Sequence, residues 1–177
     1  MSDKTDGPDL AALWDAHTRE EFETKDAEAT LDTMVEENYV NHIPTMAGGY
    51  GKAELRKFYS RYFIPSIPDD WEIKPISRTV GKDQIVDEMY TAFTHDREIP
   101  WLLPGVPPTG KRVEMVVVGI VSFKGDKIVH EHLYWDQASV LVQVGLLDPK
   151  GLPVAGAACA HKALDWHLPS NEMIPDW

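Results

Sequence analysis

The sequence predicts an α+β domain with helices packed on one face of an antiparallel sheet. Three observations carry that prediction. Apolar residues recur at helical spacing as far as Tyr62, and beyond Asp70 they recur at the alternating spacing of strands. The pair Gly125-Asp126 then stands between two extended runs, as in a tight hairpin.

Leu10, Leu13, Trp14, His17 and, less regularly, Phe22 mark a helix from about Asp9 to Lys25. Asp26 is placed to cap a second, short helix running to about Met34. Pro44 takes Tyr39-Val40-Asn41-His42-Ile43 out of helical geometry, and Gly48, Gly49 and Gly51 make a turn. Leu55, Phe58, Tyr59 and Tyr62 mark a third helix that closes before Pro65 and Pro68. The strands are Trp71–Val80, Gln84–Asp96, Lys111–Lys124 and a fourth from Asp126 to Gln137. Pro75 makes the first of them an edge or a bulge.

The stiff apolar loop Pro100–Gly110 carries Trp101, Leu102 and Leu103, read as an interface patch in preference to a lid. Val140, Leu141 and Val144 suit a short helix ending at Gly145, and the proline-rich tail holds one more around Ala157 to Asp165. The reading is one domain over 1–177, with 147–177 as a C-terminal extension.

A net charge of -12 argues against nucleic acid or an anionic membrane as partner. Cys159 is the single cysteine, which rules out an intrachain disulfide and a cysteine metal cluster. The start, Met1–Pro8, is acidic and polar, unlike a signal peptide. The longest apolar run, Val113–Phe123, contains Glu114 and is too short to span a bilayer. A cytoplasmic protein is the expectation.

The fourth strand is the most informative segment for function. Alternation puts His130, His132, Tyr134 and Asp136 on one face and Val129, Glu131, Leu133 and Trp135 on the other. An imidazole, a phenol and a carboxylate side by side suit proton transfer. Asp136 also precedes Gln137-Ala138-Ser139, where it would serve as a helix N-cap. On the second strand Asp87 and Glu88 point to opposite faces, and the sequence leaves open which looks inward. Trp101 and Trp135 complete the candidate ligand contacts. The valine run 116–118 is apolar on both faces, which predicts one face in the core and the other in a homodimer.

Three stretches resemble the SnoaL-like polyketide cyclase group of the nuclear-transport-factor-2-like superfamily. They are Tyr39–Pro44 with its glycine turn and the Phe58-Tyr59 helix, Pro107–Val113, and Asp136 with Gln143-Val144-Gly145. The resemblance implies a curved sheet forming a cone, with the N-terminal helices on its concave face. It also implies His42 at the cavity mouth, Asp136 as acid/base, and no cofactor or metal. His132 and Tyr134 would steady a developing enolate. A His130-His132-Asp136 metal site is set aside, because Tyr134 interrupts it and the family works without metal. The implied activity is aldol cyclisation or isomerisation of a small hydrophobic carbonyl compound. A noncatalytic binding or dimerisation module, or an epoxide or lactone hydrolase, stands as the alternative.

Overall fold

The computed structural model describes residues 7–177; most of the acidic start discussed above, residues 1–6, lies outside them. Helix α1 (Leu10–Phe22) begins where the Asp9 carboxylate accepts from the Ala12 N–H at 3.1 Å, and α2 (Ala27–Asp32) begins at the Asp26 cap. Strands β1 (Met34–His42) and β2 (Ala47–Tyr50) form a hairpin, followed by α3 (Gly51–Phe58), a π-helical turn over Tyr59–Phe63 and a 3-10 turn over Ile64–Ser66. Then come β3 (Glu72–Val80), β4 (Gln84–Thr94), β5 (Arg112–Lys124), β6 (Lys127–Tyr134), α4 (Gln137–Val144) and α5 (Ala158–Leu164).

The six strands make one sheet in the order β2-β1-β6-β5-β4-β3. Strands β3 to β6 form the expected antiparallel meander, while β1 joins β6 in parallel. The sequence reading gave β1 and β2 no strand status, because glycines and Pro44 interrupt their pattern. The pairing that makes β1 a strand is with a segment some ninety residues away, about Tyr39 to His130. Strand β3 is an edge and its register shifts between Pro75 and Ser77, so both readings of Pro75 hold. Gly125 turns β5 into β6 with φ 63°, which a two-residue hairpin requires.

Side chains on β5 alternate strictly. Val113, Met115, Val117, Val121 and Phe123 are buried in the main core, and Val116, Val118 and Ile120 lie half-buried on the other face. The concave face is covered by α1, α3 and the apolar loop before β5. Its core includes Trp14, Leu31, Leu55, Tyr59, Phe93, Leu102 and Leu103. The extension folds back onto the opposite face, where Ala160 of α5 packs on Tyr90 and Ala92. Glu114 ties it down, accepting from the Tyr90 hydroxyl and pairing with His161 Nε2 at 2.9 Å. Helices therefore lie on both faces of the sheet. No helix among the described residues is long and apolar enough to cross a membrane.

Candidate active site

A cavity of about 60 Å³ sits between the concave face and α1, counted as room for the centre of a water molecule. That is space for a few waters or a compact ligand, since one water needs roughly 10–15 Å³ by this measure. Its wall is overwhelmingly apolar and aromatic, with contributions from Phe22, Phe63, Trp71, Trp101 and Trp135. The polar exceptions include Glu21, His42, Tyr59 and Glu131.

The stripe of α1 that faces the sheet is Leu10, Trp14, His17 and Glu21, spaced by one helical turn or nearly so. It puts His17 opposite Glu131 of β6. His17 Nε2 lies 3.2 Å from Oε1 of both Glu21 and Glu131, and all three residues are buried. These approaches are close enough for ion pairing but miss hydrogen-bond alignment, so His17 Nε2 and Glu131 Oε1 lack a directional partner. On its far side His17 is fixed by Thr33. The Thr33 hydroxyl donates to the Thr30 carbonyl at 2.6 Å and so accepts from His17 Nδ1–H, also at 2.6 Å. Trp14 stacks on the imidazole, with ring centroids 5.3 Å apart.

Burial works against the imidazolium, but the charges of Glu131 and Glu21 outweigh it and push the His17 pKa up to about 10. Glu21 loses hydration on burial, which raises its pKa despite the His17 charge. Tyr59 is pushed well above the usual phenol range, first by burial and then by the two carboxylates, and its hydroxyl has no hydrogen-bond partner. His42 behaves oppositely to His17. Its Nδ1–H donates to the Ala47 carbonyl at 3.1 Å, and burial takes its pKa down to about 4, so at neutral pH it is an uncharged imidazole with Nε2 as acceptor.

The sequence model of the SnoaL-like domain matches residues 14–131, which include all of these groups except Leu10 and Trp135. The chain belongs to the SnoaL-like domain family. No curated protein matches it. Among solved structures it is similar to a candidate SnoaL-like polyketide cyclase of Jannaschia sp. CCS1, with TM-score 0.61, 16% identity, and 78% of this chain over 94% of that one. It is similar also to AclR, a candidate hydroxylase of Streptomyces galilaeus, with TM-score 0.60, 19% identity, and 78% of this chain over 96% of that one. An NTF2-like protein of unknown function from Burkholderia pseudomallei gives TM-score 0.58 at 15% identity, with 76% of this chain over 96% of that one. At such identities the likeness establishes the NTF2-like fold.

In this SnoaL-like domain the predicted site residues divide between two faces. His42, Trp101 and Trp135 line the cavity. His132, Tyr134 and Asp136 do not, because the register of β6 turns Glu131 and Leu133 inward, and Trp135 just past its end lines the cavity with them. Tyr134 is 40% exposed, and His132 stacks edge-on with Tyr39 and tilts against His130 on the outer face. Asp136 is exposed and caps α4, accepting from Ser139 N–H at 3.1 Å and from the Ser139 hydroxyl at 2.6 Å. The strand ends at Tyr134, so alternation does not carry Asp136 onward.

Asp87 is the inward member of its pair. It accepts from Trp14 Nε1 at 2.9 Å and from the Arg78 guanidinium at 2.8 and 3.0 Å, supporting the cavity wall from behind without lining it. Glu88 faces outward and accepts from the Ser77 hydroxyl. Trp101, Leu102 and Leu103 are buried, not an interface patch. Trp101 Nε1 donates to Ser66 Oγ at 3.0 Å, closing the loop over the cavity.

The sequence marks His17 and Tyr59 as helix positions and Glu131 as a strand position, but it assigns neither these three nor Glu21 to the site. Two signals were present: an ionisable i, i+4 pair on the apolar stripe of α1, and a glutamate sharing a strand face with Leu133 and Trp135. Charged side chains in apolar company are costly to bury unless they are paired.

Proposed function

We propose that this SnoaL-like domain is a cofactor-independent acid/base enzyme acting on a compact hydrophobic carbonyl compound. The observation that carries the reading is the buried His17–Glu21–Glu131 cluster opening into an aromatic cavity. Two carboxyl groups beside one imidazole in different surroundings divide into a base and an acid. Glu131 turns one oxygen toward the His17 imidazolium, and its other oxygen removes the proton α to the carbonyl. The C–H electron pair moves into the enolate. Glu21, whose raised pKa keeps its proton longer, donates a hydrogen bond to the enolate oxygen. Return of the proton at a second carbon is isomerisation; attack of the enolate on a second carbonyl is aldol cyclisation. His42 Nε2 accepts a hydrogen bond from the substrate and orients it.

The test is proton–deuterium exchange α to the carbonyl, followed by NMR across a panel of small hydrophobic ketones. Exchange above the buffer rate is expected for compact members, falling by a factor on the order of 100 to 10,000 in Glu131→Gln. Glu21→Gln provides a second variant if the first folds poorly. Ligands that bind without any exchange would replace this reading with a noncatalytic binding module. The half-buried outer face with Val118 and Ile120 fits the accompanying proposal of a homodimer.

A further inference from the structure

The signs of the charges around the cavity are unequally placed. Glu21 and Glu131 form part of its wall, while their cationic partner His17 is fully buried and lies behind them, outside the lining. No lysine or arginine lines the cavity among the described residues. A ligand entering it therefore meets the negative end of the cluster first. The remaining wall is aromatic. Phe63 and Trp101 have centroids 4.9 Å apart with planes tilted by 46°, and Trp135 stands nearly perpendicular to Trp101 at 6.3 Å. Non-parallel rings around a small volume offer electron-rich faces from several directions.

A desolvated carboxylate, here Glu131, and aromatic rings attract the same class of group, a cation with little hydration to lose. A metal ion or a primary ammonium would forfeit strong hydration that this mostly apolar wall cannot replace. A quaternary or tertiary ammonium would lose much less. We infer that the compound bound in this cavity carries a compact alkylated ammonium group, held by the Glu131 carboxylate and the Phe63–Trp101–Trp135 wall. This rests on the reading of the cavity as the ligand site, and it narrows the carbonyl compound to an amino ketone or a related cation.

The full-length protein is titrated calorimetrically with choline and with 3,3-dimethylbutan-1-ol, an isostere in which carbon replaces the charged nitrogen. Choline is expected to bind tenfold or more tightly than the alcohol. Glu131→Gln, which removes the carboxylate on the wall, should reduce that preference several-fold. Trp135→Leu keeps the wall apolar but removes a ring face, and should weaken choline alone. Equal affinity for the two probes, tighter binding of the alcohol, or no binding of choline overturns the inference. Ketone exchange without choline preference would leave the acid/base reading standing and this one refuted. Choline preference without any exchange would do the reverse.

Discussion

His17 and Glu131 meet at 3.2 Å across the packing of α1 on β6, and both are buried. The contact joins residues more than a hundred positions apart and fixes the charge state of the cavity floor. Removing His17, the single cation of the cluster, leaves the buried carboxyl groups without a partner, which costs about 3–5 kcal/mol. His17→Gln should therefore lower stability by about that amount in denaturant unfolding. A loss below about 1 kcal/mol would mean that the pair carries no charge.

The same pair sets an alkaline limit. His17 has a folded pKa of about 10 against 6.5 unfolded, so its protonated form is favoured by folding. That stabilisation is fully present below pH 6.5 and is lost as pH rises toward about 10. The melting temperature should fall across this window in the wild type and less in His17→Gln. Parallel profiles would contradict the assignment.

His42 sets an acid limit of opposite sign. Its pKa falls from 6.5 to about 4 on folding, so the neutral form is favoured. The stabilisation is present above pH 6.5 and is lost as pH falls through about 4. His42→Gln should flatten the acid side of the stability profile and leave the alkaline side as it was. Histidine NMR titration would locate the group directly.

Asp136 is exposed and caps α4, and asparagine caps nearly as well. Asp136→Asn should change stability by a few tenths of a kcal/mol and leave ketone exchange unaltered, whereas Asp136→Ala should cost about 1 kcal/mol. A collapse of exchange in the asparagine variant would return Asp136 to the catalytic role that its sequence context suggested.

The proposed homodimer has its own test. Sedimentation at micromolar concentration should give twice the chain mass of 19.9 kDa. Replacing Val118 and Ile120 by glutamate should yield monomers, while a wild-type monomer would contradict the assembly. Strand β5 presents both residues on its outer face, next to the area that α5 already covers.

The sequence by itself determined the class of fold. Local periodicity and caps specify helices and strands: Asp9 and Asp26 start α1 and α2, and alternation from Arg112 to Lys124 makes β5. The antiparallel meander follows from short connections such as the Gly125 turn. Only the tertiary structure decided which face of β6 looks inward. Alternation divides a strand into two sets of side chains, but the choice between them depends on register with β5 and β1 and on what α1 lays against the sheet. Those contacts turned Glu131 and Trp135 into the cavity and left His132 and Tyr134 outside. The cluster of His17, Glu21 and Glu131 has the same origin, because its halves lie on elements that local pattern cannot relate.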